Sequence, residues 1–220
     1  ININGSILDT KEIFKYVGSE TSFTMDNSAT VKINNESKKT STVTTKVELP
    51  SKGEYHTPSK KVTTDDNKDT TANEAKNGSE FTYNIHHEVP QEHQIWYYDE
   101  YVIKDDIHKA MDIQSVKVYD ATDKDVTSRF DVSHKDNNVR VKAKRSALDT
   151  ASFYNTTYRT AIHAKIIDSS ALLEFAGDQN TFKINNTAYI TLDGNTKPSG
   201  DVTTNVTIPK IDLGFDKIEI

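Results

Sequence analysis

Three features of the 220-residue sequence predict an all-β protein built from antiparallel β-sandwich domains in tandem. Apolar residues alternate with polar ones over short runs, turn-forming residues separate those runs, and one stretch recurs about a domain length later. The composition agrees. Only 34% of residues are hydrophobic and the mean hydropathy is −0.69, which implies a thin core beneath a well-solvated surface. Threonine is abundant and there are 10 tyrosines, residues that suit a pleated, half-buried surface.

The alternation is clearest in Phe81, Tyr83 and Ile85, in Val116 and Val118, and in Val139 and Val141. It continues through Tyr158, Ala161-Ile162 and Ile166. Gly78, Pro90, Asp123 and Asn137-Asn138 mark the turns. Short helical turns are expected from Ile107 to Ile113 and from Ser146 to Phe153. Short strands at short spacing point to a sandwich.

The recurrence is gapless. Residues 14–50 and 173–209 align at a constant offset of 159. Gly18 meets Gly177, Phe23 meets Phe182, Asn27 meets Asn186, Ala29 meets Ala188 and Lys38 meets Lys197. Val43-Thr44-Thr45, Val47 and Pro50 fall on Val202-Thr203-Thr204, Val206 and Pro209. The expected organisation is therefore the C-terminal part of one domain over 1–50, a Pro/Gly-rich linker over 51–58, a complete domain over 59–209, and an exit segment over 210–220. Ile1 is not an initiator residue, so the chain is expected to be an excised fragment.

Charge and cysteine usage narrow the function. The 33 acidic and 27 basic residues are interspersed, without the clustered cations that phosphate binding needs, so nucleic acid is not an expected partner. No apolar run approaches membrane-spanning length, so no membrane insertion is expected. Cysteine is absent. An extracellular animal domain of this size usually carries a disulfide; a Thr/Asn-rich, cysteine-free β protein suits the exported surface proteins of Gram-positive bacteria.

The informative places are where the alternation breaks. Along Phe182, Ile184, Asn186, Ala188, Ile190 and Leu192, read as one strand, every core-facing position is apolar except Asn186. The earlier copy repeats the anomaly at Asn27. Asp105 interrupts Tyr101, Ile103 and Ile107 in the same way, and Lys60 precedes Val62 and Thr64 on one parity. A register slip of one residue would exchange Lys60 for Lys61. Burial lowers the pKa of a lysine and raises that of an aspartic acid, so both can be neutral. A neutral Lys60 amine is a nucleophile, the Asn186 carboxamide an electrophile, and protonated Asp105 an acid that polarises the amide and relays a proton to departing ammonia. The set predicts an internal Lys60–Asn186 isopeptide bond assisted by Asp105, needing no cofactor. Asn27 has no matching lysine here; its own bond would need residues upstream of Ile1.

Other residues suggest other functions. Trp96-Tyr97-Tyr98 and Tyr101 would serve a carbohydrate- or protein-binding module if exposed. His86, His87, Glu88 and His93 are metal-competent, but adjacent strand residues point to opposite faces, so His86 and His87 cannot share an ion. Asp65-Asp66 with Asp69, or Asp120, Asp123 and Asp125, offer carboxylates of the kind that hold structural calcium, without EF-hand spacing.

Five ordered segments carry a family resemblance: Pro58-Ser-Lys60-Lys-Val62, Gly78-Ser-Glu-Phe-Thr-Tyr83, Tyr101-Val-Ile-Lys-Asp105-Asp106-Ile107, Asn186-Thr-Ala-Tyr-Ile, and Thr203-Thr-Asn-Val. Together they resemble the C-terminal adherence domains of antigen I/II-type adhesins, related to the stalk domains of enterococcal aggregation substances. The resemblance covers 55–209 fully and 14–50 as a second, partial copy. It implies a DE-variant immunoglobulin-like sandwich and an isopeptide bond, mapped on Lys60, Asn186 and Asp105. It also implies a wall-attached extracellular protein that adheres and aggregates. Host or bacterial surface proteins or glycans would then be met by other domains of the full protein; the family's wall anchor and ligand-binding head are not in this sequence.

Overall fold

The longest alternating run, Thr156–Ile166, becomes one strand in which Tyr158, Thr160, Ile162, Ala164 and Ile166 are all buried. β-branched and aromatic side chains on one parity drive this, since each can leave water on the same face. The computed structural model describes residues 2–17, 21–63, 68–177 and 179–209. Gly18, Thr64, Asp65-Asp66 and residues 210–220, named above, lie outside them. The described residues gather into two compact units, those within 1–53 with 92–97 and those within 54–91 with 98–209.

In the first unit a 3-10 turn, Lys11–Ile13, runs into a single helical turn, Phe14–Val17. Four strands follow: β1 (Ser22–Asn27), β2 (Thr30–Ile33), β3 (Glu36–Lys39) and β4 (Val43–Glu48). β1 pairs antiparallel with β4, and β2 with β3. Ile13, Val17, Val47 and Ile95 form its core, with Phe14, Phe23, Leu49 and Trp96 packed against them.

The second unit holds β5 (Ser59–Thr63), β6 (Asp69–Thr70), β7 (Ala72–Lys76), β8 (Glu80–Val89), β9 (Tyr101–Asp106), β10 (Met111–Tyr119) and β11 (Phe130–Lys135). It continues with β12 (Asn138–Ala143), β13 (Thr156–Ile166), β14 (Thr181–Asn186), β15 (Ala188–Leu192), β16 (Asn195–Pro198) and β17 (Val202–Thr207). One five-stranded sheet runs β10-β13-β8-β5-β6 and the other β11-β12-β9-β15-β16. All pairings within these two sheets are antiparallel. Tyr101 of β9 packs on Tyr158 of β13 and His87 of β8, so the two sheets meet across an aromatic core. A third, three-stranded sheet, β14-β17-β7, contains the one parallel pair described, β17 with β7. This is the immunoglobulin-like sandwich that the alternation and the resemblance predict.

The recurrence is structural as well as sequential. The helical turn Leu173–Ala176 and strands β14, β16 and β17 begin and end 159 residues after Phe14–Val17, β1, β3 and β4. Asn34 and Asp193 occupy the same hairpin position, both in the left-handed region, which their short polar side chains tolerate. The Thr40 amide donates to the Ala29 carbonyl, and the Ser199 amide to that of Ala188, each at 2.8 Å.

Two expectations change. The single strand from Phe182 to Leu192 is divided at Thr187: β14 pairs with β17, while β15 pairs with β9 in another sheet. Ser199 Oγ accepts from the Ala188 amide and Thr187 Oγ1 donates to Asp201, so the corner's polar groups are met as the chain changes sheet. No helical turn spans Ile107 to Ile113. The Met111 amide closes a turn on the His108 carbonyl at 3.0 Å, and Met111 and Ile113 then pair with Ile166 and Ala164 of β13. The ladder outcompetes the helix. The expected turns between Ser146 and Phe153 do form, over Arg145–Leu148 and Ala151–Phe153.

Candidate cross-linking site

Three strands from three sheets deliver the buried polar residues. Lys60 lies on β5 opposite Ile85 of β8, and Val62 opposite Tyr83. Lys60 and Val62 are buried, whereas Lys61 points the other way and is half-buried. Asp105 sits on β9 with Val139 of β12 on one side and Ala188 of β15 on the other, so both flanks are closed. Asn186 ends β14, two residues before the Ala188 that faces Asp105. The corner at Thr187 thus carries Asn186 to the Asp105 end of the core.

Lys60 Nζ donates a hydrogen bond to Asp105 Oδ2, and both side chains are 0% exposed. Lys60 Nζ lies 4.7 Å from the centre of the Tyr83 ring, close enough for a cation–π contribution. Asn186 neighbours both Asp105 and the Tyr83 hydroxyl and favours the charged form of each. Its Nδ2 and Asp105 Oδ1 are buried without a hydrogen-bond partner. Each such atom costs roughly 1–3 kcal/mol. Desolvation pulls the Lys60 pKa down and pushes that of Asp105 up; the partner's charge opposes each shift without overcoming it. Both groups are driven toward neutrality, the state an amine nucleophile and an acid donor need.

Three further residues complete the surroundings. The Tyr83 hydroxyl donates to Thr204 Oγ1 at 2.8 Å, which donates to Asn73 Oδ1 at 2.8 Å. Burial raises the Tyr83 pKa, so the phenol keeps its proton. Sequence reasoning placed Tyr83 in an ordinary alternation and Thr204 in the repeated Thr-Thr, and passed over Asn73. Their link spans more than a hundred residues, so no local pattern announces it.

The other candidates are placed differently. Asn27 is exposed on β1. Tyr98 and Tyr101 are buried and Trp96 and Tyr97 half-buried, so they do not form an exposed aromatic platform. His87 is buried and His86 half-buried on the opposite face, where it meets Asp69 at 3.5 Å. Asp120 Oδ1 accepts from the Thr122 and Lys124 amides of its own loop, Asp125 Oδ1 from that of Thr127, and Asp123 pairs with Arg159. Among the described residues no three His, Cys, Asp or Glu side chains gather as a metal site.

Residues 58–206 match the family model of the cell surface antigen I/II C2 terminal domain. The chain belongs to that family. No curated protein sequence matches it. Among solved structures, the C-terminal domain of the antigen I/II polypeptide BspA of Streptococcus agalactiae is similar at 16% identity and TM-score 0.55. That match covers 84% of this chain and 59% of the solved BspA domain. The C-terminal domain of AspA, an antigen I/II-family protein of Streptococcus pyogenes, is similar at 17% identity and TM-score 0.54, with 84% and 55% covered. The major pilin subunit BcpA of Bacillus cereus is similar at 21% identity and TM-score 0.53, with 69% and 40% covered. The chain thus spans less than two thirds of each of these structures, and at these identities the likeness establishes the fold.

Proposed function

We propose that this antigen I/II-type domain is a stalk module of an adhesin attached to the outside of a Gram-positive cell wall, and that it cross-links itself. Lys60 Nζ attacks the Asn186 side-chain carbonyl carbon; the new C–N bond replaces the old one, and the carboxamide nitrogen leaves as ammonia. Protonated Asp105 polarises the carboxamide, gives its proton to the leaving nitrogen and takes one from the amine in exchange. Folding supplies the proximity. The reaction happens once per molecule, so the chain is not an enzyme in the turnover sense. Adhesion and aggregation through host or bacterial proteins or glycans belong to other domains of the full protein, and the domain limits near 51–58 and 209 are part of the same reading.

One observation carries it: a fully buried Lys60–Asp105 pair abutting a buried Asn186, with Asp105 Oδ1 and Asn186 Nδ2 both lacking partners. The test is the intact mass of the folded chain. It should fall short of the sequence mass by one ammonia, and Lys60→Ala, Asp105→Ala and Asn186→Ala should each restore the full mass. Full mass in well-folded wild-type protein refutes the cross-link. Because the bond would close a loop of more than a hundred residues, Asn186→Ala should also cost about 4–5 kcal/mol.

A further inference from the structure

In the first unit the turn Gln94–Trp96 fills a groove. Ile95 is buried against Ile13, Val17 and Val47. The Trp96 ring lies 5.0 Å from that of Phe14, and its Nε1 donates to the Pro50 carbonyl at 2.7 Å. The groove walls are the helical turn Phe14–Val17 and the end of β4.

The same groove exists again 159 residues on. Leu172, Leu173, Ala176, Ile208 and Pro209 stand where Ile13, Phe14, Val17, Leu49 and Pro50 stand in the first unit. The walls are set alike: the Leu49 amide donates to the Thr21 carbonyl at 2.8 Å, and the Ile208 amide to that of Asn180 at 2.7 Å. Here the groove is open, with a volume of about 750 Å³ lined by Leu172, Leu173, Gly177, Ile208 and Pro209 among others. Exposure follows occupancy at the rim, while the floor residues Leu172 and Val206 are buried as Ile13 and Val47 are. Val17 is buried and Phe14 and Pro50 half-buried, whereas Ala176 is half-buried and Leu173 and Pro209 are exposed.

We propose that this second groove is the docking site for the Ile-Trp turn of a following copy of the domain, the segment corresponding to Glu92–Tyr97. The occupant is specified by the filled groove. An isoleucine covers Ala176 above the buried Leu172, the indole lies over Leu173 instead of Phe14, and the Pro209 carbonyl takes the indole N–H. Each copy would lend its turn to the copy before it. Such a head-to-tail contact propagates along an array instead of closing on itself, and it ties successive modules together beyond the linker. The proposal rests on the tandem-stalk reading above.

The test replaces residues 210–220 of the chain with a second copy of residues 51–209, so that Pro209 is followed by Ser51 as Pro50 is. Amide exchange at residues 169–177 and 205–208 of the first copy is compared with that in the unextended chain. Docking should slow it about tenfold or more. Ile95→Asp with Trp96→Ala, confined to the appended copy, should return the original rate. Leu173→Asp in the first copy should do the same, and its exposed position leaves folding intact. Unchanged exchange in the extended chain, or slowing that survives Leu173→Asp, overturns the proposal. The mass of the same samples reports cross-linking separately, so loss of docking with ammonia still missing would leave the self-stapled module in place.

Discussion

Residues 14–50 and 173–209 build the same local structure, but their strands differ in exposure. Val43 is 64% exposed and its counterpart Val202 0%; Met25 is 39% exposed and its counterpart Ile184 3%. In the second unit β17 gains a parallel partner in β7, and β15 gains β9. In the first, β4 pairs only with β1 and β2 only with β3 among the described residues. Hairpins, turns and the helical stop are thus specified within the repeat, whereas burial is supplied by strands from elsewhere. The same holds for chemistry. Asn27 and Asn186 occupy one position in one motif, yet only Asn186 is enclosed with a lysine and a carboxylate. An asparagine becomes a candidate electrophile through its neighbours.

The largest effect tests that contrast on identical residues. Val202→Asp places an unpaired charge in a dry core and should cost about 3–5 kcal/mol. Val43→Asp at the equivalent exposed site should stay within about 0.5 kcal/mol. Hydrogen exchange, followed in β13 for one unit and β4 for the other, separates the two readouts. Similar losses at both sites would show that the first unit buries that face in solution.

How much of this could be read from the sequence follows the same division. The strands were legible because alternation is a property of neighbours: β13 and β8 carry it in their own residues. Lys60, Asp105 and Asn186 were legible as violations of that alternation, since a polar residue on an apolar parity stands out in one dimension. Two things were not. The break at Thr187 depends on which strands compete for Ala188, and β9 lies some eighty residues away. Met111 likewise left the expected helical turn because β13 offered it ladder partners. Tyr83, Thr204 and Asn73 have no anomalous parity, and their hydroxyl and amide contacts exist only once the sheets have met.

A smaller effect concerns acid. His87 lies on β8, outside the repeat, between the rings of Tyr55 and Tyr101. Its Nε2 hydrogen-bonds the His56 carbonyl at 3.2 Å. Burial, aided by the nearby Lys197, lowers its pKa from 6.5 to about 4. The folded state therefore binds fewer protons than the unfolded one between those values. The stability due to neutral His87 is complete above 6.5 and lost as pH falls toward 4, at most roughly 3 kcal/mol. Urea midpoints from pH 7 to 4 should fall in the wild type, and His87→Gln should flatten the slope. An unchanged slope would assign the acid sensitivity to other groups.

The smallest difference is expected at the hairpin caps, and it is the cleanest form of the comparison because the bonds are the same. Thr40 Oγ1 accepts from the Ala29 amide at 2.9 Å and donates to the Ser41 carbonyl at 3.0 Å. Ser199 Oγ accepts from the Ala188 amide at 3.0 Å and donates to the Gly200 carbonyl at 2.9 Å. The geometry does not separate them, but Ser199 is buried and Thr40 exposed. Removing the hydroxyl at Thr40 lets water replace it, so Thr40→Ala should change stability by no more than about 0.5 kcal/mol. Ser199→Ala leaves a buried amide without a partner at the corner that positions Asn186, and should cost roughly 1–3 kcal/mol. Equal costs would mean that the hydrogen bond, and not its burial, sets the energetics. Unequal costs would place in this one pair the difference in burial that separates the strands of the two copies.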